Sequence, residues 1–165
     1  MYDINKDKWS SNENVRLNVG RSQSSSCLFR DSVIYIFGGY NKEHGTLSSI
    51  ERYDISQKKI SLLPDIKMPV PLRRFATAKI SASKILILGG IGRLSKESDA
   101  VYCFDIDESS GKSVYSIESL DKVDKPGVID YPVMIDSVGS LHLFVENASG
   151  TSPLMRTVYS FLEYS

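Results

Sequence analysis

The sequence lacks most of what marks a catalytic, membrane-embedded or secreted chain. Its two cysteines, Cys27 and Cys103, cannot build a disulfide framework. Its two histidines, His44 and His142, fall in a loop and in a strand of units that are not neighbours. They do not converge with the cysteines as a zinc site requires. No serine sits in a Gly-x-Ser-x-Gly turn, and no glycine-rich segment opens a helix to cradle a phosphate. The longest apolar run, Ile85–Leu88, is far too short to span a bilayer, and the first eight residues hold no apolar core of a secretory leader. Unpaired thiols without such a leader point to the cytoplasm. Charge of one sign is also missing. Lys and Arg together number 20, as do Asp and Glu, so the chain has no basic excess with which to hold nucleic acid or an anionic membrane. Nor does any window sustain an apolar period of 3.6 residues between helix caps.

What is present is a repeat. Tyr2-Asp3-Ile4 returns as Tyr53-Asp54-Ile55 and again as Phe104-Asp105-Ile106, each step being 51 residues. Gly38-Gly39 returns as Gly89-Gly90 at the same step, and Trp9 is matched by Ile60. Each glycine pair ends a β-branched and aromatic run, Val33–Phe37 and then Lys84–Leu88, which reads as a buried strand closed by a turn. Further strands are expected at 24–29, 49–53 and 59–63, then at 75–81, 100–105 and 113–118. Four short strands per unit of about 50 residues is the count of a propeller blade. A third unit repeats the order over 131–136, 141–145 and 156–162, but Val145-Glu146 replace the glycine pair. The expected class is all-β, with four-stranded antiparallel blades in an incomplete arc. A partial blade occupies 1–19, full blades occupy 20–68 and 69–123, and a degraded partial blade occupies 128–165. At 41% hydrophobic residues the chain has material for a core and is not a disordered polymer.

An Arg ahead of a strand, hydrophobics ending in Gly-Gly, then Tyr-Asp, then Trp six residues on resembles the kelch repeat. The resemblance covers almost the whole chain, with the Trp kept only as Trp9 and replaced by Ile60 and, roughly, Val114. A kelch-type β-propeller fragment is what it implies. Glycine at the doublets suits positive φ and close passage under neighbouring chain. The Asp after each Tyr or Phe suits a tight turn, and Tyr and Trp suit packing between sheets. About 3.2 units of 51 residues do not close a ring, so further blades, a partner or self-association are expected to cover the exposed edges.

In kelch propellers that bind peptides, loops at one rim carry recognition. Carried over, the resemblance implies partner-binding roles for Arg21, Arg73 and Arg74 in the loops entering the innermost strands. It implies the same for Tyr40, Asn41 and His44, with Lys42 and Glu43 beside them, and for Arg93, with Lys96 nearby, in the loops after Gly-Gly. Arginines near the axis suit an acidic peptide, because a guanidinium grips a carboxylate with two parallel bonds. The expected function is a non-catalytic protein-interaction module, in substrate recognition or scaffolding, with no cofactor or metal. Two alternatives stand beside it. One is a carbohydrate-active propeller enzyme of epimerase or glycosidase type using Asp130, Asp136 and Glu146, and the other is a non-functional truncated remnant.

Overall fold

The computed structural model describes residues 2–9, 15–110 and 112–120, and the strands 134–135, 140–145 and 154–160 as backbone. Strands β1 (Tyr2–Asp3) and β2 (Lys8–Trp9) form a hairpin. The first blade holds β3 (Ser25–Phe29) and β4 (Val33–Phe37). A small rim hairpin, β5 (Tyr40–Asn41) and β6 (Gly45–Thr46), follows before β7 (Ser49–Asp54) and β8 (Lys59–Lys67). The second blade is β9 (Ala76–Lys79), β10 (Lys84–Leu88), β11 (Val101–Asp107) and β12 (Val114–Leu120). Both blades are four-stranded antiparallel meanders, in the orders β3-β4-β7-β8 and β9-β10-β11-β12. A three-stranded sheet follows, built of β13 (Met134–Ile135), β14 (Ser140–Val145) and β15 (Leu154–Ser160). All-β blades in an incomplete arc are therefore observed.

The two blades stack face to face through the alternation of their strands, since successive side chains point to opposite faces. Val33, Tyr35 and Phe37 of β4 meet Ile85 and Ile87 of β10 and Phe104 of β11 in one buried cluster. Phe37 and Phe104 lie 5.2 Å apart at 83°, and Tyr35 and Phe104 lie 5.4 Å apart at 63°. Edge-to-face pairs of this kind add about 0.5–1.5 kcal/mol each beyond burial. The innermost strands need small side chains to come this close. Ser25 Oγ and Thr77 Oγ1 sit 2.8 Å apart, and the Thr77 hydroxyl also reaches the Ser26 carbonyl at 3.2 Å.

The glycine doublets behave as their position demands. Gly38, Gly39, Gly89 and Gly90 all have positive φ. A Cβ on Gly39 would stand 2.6 Å from the Ser22 carbonyl oxygen, and one on Gly90 would stand 2.6 Å from Phe75 Cβ. Substitution there meets both strain and collision.

Two expectations shift in the second blade. The turn-forming Asp was placed at Asp105, by analogy with Asp54. Asp54 Oδ1 indeed accepts from the Ser56 hydroxyl and the Gln57 N–H, as Asp3 accepts from Asn5 and Lys6. In the second blade β11 continues two residues further, and Asp107 takes this role by accepting the Ser109 N–H at 2.8 Å. The longer strand also displaces Val114 from the place of Trp9. Val114 is exposed opposite Asp107, while Ile117 faces Phe104 across the ladder and Tyr115 stacks on Phe104 at 5.6 Å. Trp9 itself packs against Tyr2, with ring centroids 5.2 Å apart and tilted by 47°, and is exposed.

Candidate functional site

At one rim the two blades repeat the same backbone frame. Ser22 and Tyr40 exchange N–H···O bonds of 2.9 and 2.7 Å, and Arg73 and Ile91 exchange bonds of 3.0 and 2.8 Å. Leu47 donates to Gly39 and Ser98 to Gly90 in the same way. The two loops that follow the glycine doublets thus have equal length, but they differ in form. The first closes as β5–β6, with Gly45 at φ +71° and with Asn41 Oδ1 accepting the Glu43 and His44 N–H groups. The second has Lys96 where Gly45 stood, with φ −78°, and folds instead as a short 3₁₀ turn, Arg93–Ser95. Left-handed backbone then falls on Leu94 and Ser95, both at φ +57°. Leu94 side-chain atoms point into solvent at the loop tip, fully exposed.

Between these loops lies an open cleft of about 350 Å³ lined by Tyr40, His44, Arg73, Arg93, Leu94 and Ser95, together with Gly45, Thr46 and Gly92. Arg73 is its centre. The guanidinium lies 5.7 Å from the Tyr40 ring centroid, donates to Gln23 Oε1 at 3.0 Å and donates to Ser95 Oγ at 3.3 Å. Both of these acceptors are neutral, and the Tyr40 ring face lies under the charge, so among the described residues these contacts orient the guanidinium without cancelling it. Four of the seven expected contact residues, Tyr40, His44, Arg73 and Arg93, are brought together here.

The other three go elsewhere. Asn41 builds its loop, and its Nδ2 donates to the Gly20 carbonyl at 2.6 Å beside a second hollow of about 440 Å³. Arg74 sits at the blade junction in a left-handed conformation matching that of Gln23, and its N–H reaches the Gln23 carbonyl at 3.0 Å. Arg21 corrects the expectation outright. Its side chain is 0% exposed and is not offered to a partner. Nη2 meets Glu51 Oε1 at 2.6 Å, Nη1 donates to the Gly38 and Ser49 carbonyls, and Nε donates to the Val19 carbonyl. Glu51, equally buried, also accepts from the Asn18 N–H, its side-chain amide and the Val19 N–H. Burial pushes the Glu51 carboxyl up, but these bonds and the Arg21 charge outweigh it and hold the group below its ordinary value. A charge buried in a sheet requires this pairing, which is why Arg21 is a clasp of the fold. A charged residue in the middle of a buried strand was the signal that could have revealed it. Leu94 and Ser95 were missed because loop length alone does not say which residue turns left-handed.

Burial raises both cysteine thiols, Cys27 and Cys103, which places them among packed hydrophobes rather than reactive groups. A further hollow of about 600 Å³ near Asp105, Asp107 and Glu108 is bridged by the Arg30–Glu108 ion pair. Among the described residues no cluster of three or more His, Cys, Asp or Glu could hold a metal ion, and no helix is long and apolar enough to cross a membrane. Asp130, Asp136 and Glu146, the acids named for glycoside chemistry, lie outside the described residues, as does the side chain of His142.

Residues 22–65 match the kelch motif. Among solved structures, that of YjhT is similar, with a TM-score of 0.58 at 15% sequence identity over 77% of this chain. The chain spans about a third of that protein's length, since 34% of it is covered. At this identity the likeness carries the fold alone. No curated protein matches the sequence.

Proposed function

Starting from a kelch-repeat chain folded as a segment of a kelch-type β-propeller, we propose that it is a non-catalytic binding module that takes an acidic segment of another protein at the rim cleft. A cytoplasmic setting fits its unpaired thiols. The observation that carries this reading is the state of Arg73. Its guanidinium lies over the Tyr40 ring and is anchored by two neutral acceptors, with Arg93 and His44 lining the same cleft. A carboxylate entering there gains charge-assisted bonds to a guanidinium already oriented, so little side-chain freedom is lost on binding. The cleft is open and shallow, which suits an extended chain rather than a buried small molecule.

Labelled, end-blocked peptides rich in Asp and Glu, set against Lys-rich ones of equal length, test the reading by fluorescence anisotropy. The acidic peptides should bind selectively, and added salt should weaken them. Arg73→Glu should cost at least about tenfold in affinity, or ~1.4 kcal/mol, with the melting temperature unchanged. Equal binding of acidic and basic peptides, or indifference to Arg73→Glu, would sink the reading.

A further inference from the structure

The second loop offers a modifiable hydroxyl beside the arginine on which partner binding depends. Ser95 is exposed at the loop tip in a left-handed conformation, and its hydroxyl already lies 3.3 Å from an Arg73 guanidinium nitrogen. Arg93 stands two residues before it and Lys96 follows it. The repeat places Ser95 where the first blade has His44, and both side chains line the same cleft. We propose that Ser95 is a phosphorylation site and that its phosphate would occupy Arg73, closing the cleft to acidic partners. The second half of this inference rests on the proposed function, and the first does not.

The chemistry is phosphoryl transfer from a nucleoside triphosphate by a protein kinase that prefers basic residues. The Ser95 Oγ–P bond forms while the bond from the γ-phosphorus to the bridging oxygen breaks. The hydroxyl proton passes to the kinase's base, and the nucleoside diphosphate leaves. An exposed serine with Arg two residues before it presents the charge such an enzyme reads, and a loop tip presents the backbone. Once attached, the phosphate carries up to two negative charges and three acceptor oxygens. Arg73 needs no rearrangement to meet it, because it already faces the hydroxyl. Arg93 and His44 line the same cleft, Lys96 and Glu97 follow Ser95 along the loop, and Glu43 pairs with His44 at 3.9 Å on the facing loop. The contact is thus a substitution in place, with phosphate taking the seat a partner's carboxylate would take.

The experiment uses the full chain with Ser95 installed as phosphoserine during translation. Its phosphorus resonance should titrate about one pH unit lower than that of the free phosphopeptide 91–97, since a guanidinium beside the phosphate favours the dianion. Arg73→Ala should return the midpoint to the peptide value. The acidic peptide of the previous section should bind the phosphorylated chain at least tenfold more weakly than the unmodified one. Separately, a basophilic kinase with ATP should label the folded chain at Ser95, as located by mass spectrometry. A phosphate that titrates like the free peptide overturns the proposal whatever the acidic peptide does. A folded chain left unlabelled under conditions that label the free heptapeptide overturns it as well. If the acidic peptide binds neither form while the phosphate still depends on Arg73, the partner reading fails and the phosphate seat stands.

Discussion

The first and second blades share a strand order and a rim frame and disagree about how their interiors are filled. Positions where a Cβ would strike the neighbouring chain are repeated, and so is the left-handed backbone at the blade junction, whereas the loop tips differ. The glycine doublets return, Gln23 matches Arg74 at φ +54° and +52°, and the rim bridges recur. Positions that only need filling are not repeated. One repeat after Arg21 and Glu51, the buried ion pair of the first blade, stand Leu72 and Tyr102, both buried. Ile85 and Ile87 are wholly buried against the first blade, while their counterparts Ile34 and Ile36 are half-buried. The repeat therefore lives in backbone geometry, and each blade solves its interior separately. The landmarks of the repeat mark where the two blades make the same demand of the backbone.

The sharpest way to break that comparison is to remove half of the clasp. Glu51→Ala should leave Arg21 buried and unpaired and cost about 3–5 kcal/mol in urea unfolding. Grafting the second blade's solution, Arg21→Leu with Glu51→Tyr, should recover more than half of that loss, because apolar replacement of a buried pair is often neutral. Should the double variant fall as far as the sum of its parts, the two blades are not interchangeable inside. The pH profile sharpens the same point. A carboxyl held below its ordinary value contributes stability that is complete above its unfolded value of about 4.5 and fades as the pH falls through the folded value. The wild type should lose stability on acidification from about pH 4.5, and the graft should lose less there. Asp54, held at about 2 chiefly by the Ser56 hydroxyl, contributes fully above its unfolded value of 3.8 and loses that contribution as the pH falls toward 2, equally in both proteins, which leaves the difference to Glu51.

Next in size are the glycines. Gly39→Ala and Gly90→Ala should each cost about 1–3 kcal/mol, since positive φ is strained for alanine and the new methyl meets the Ser22 carbonyl or Phe75 at 2.6 Å. Equal costs in the two blades would support a shared frame. Gly45→Ala meets open space and should cost less, from its φ alone.

The same division between backbone and filling decides what is legible in the sequence. The four-stranded units could be read because their period and glycine doublets record backbone constraints, and β4 and β10 fall on the expected residues. The clasp could not be read from a loop arginine alone, because Arg21 precedes β3 much as Arg73 precedes β9, yet Arg73 occupies the place of Ser22. One residue of offset decides between interior and rim. The cleft was half legible. Tyr40, His44, Arg73 and Arg93 are named by their loops, while Ser95 enters only because Lys96 replaces Gly45 and the left-handed turn moves back along the chain.

A smaller effect separates the aromatic layers. Tyr35 is buried between the blades, and among the described residues its hydroxyl has no hydrogen-bond partner. Burial first, and the neighbouring Tyr115 second, push its pKa up. Tyr35→Phe keeps the edge contacts to Phe29 and Phe104 and removes an unsatisfied donor, so it should raise stability by ~1 kcal/mol. A loss of that size instead would mean that the hydroxyl is satisfied in solution and that the interface between blades contains a polar contact.

The smallest difference is expected at the outer turns, where the blades part by two residues. Asp54 ends β7 and closes its turn, whereas Asp105, its counterpart by spacing, lies within β11, accepts its neighbour's N–H and pairs with Lys84 at 3.9 Å without closing a turn. Asp107 has inherited the turn, and the Ser109 N–H that it accepts holds its carboxyl below the usual value. Asp107→Ala should therefore lower the melting temperature more than Asp105→Ala, reversing the order that spacing alone would give. Shortening the β11–β12 loop by two residues should restore the spacing order and return the anchoring role to Asp105. If Asp105→Ala remained the milder change even then, the length of β11 would be set by its pairing with β12 rather than by where its turn is fastened.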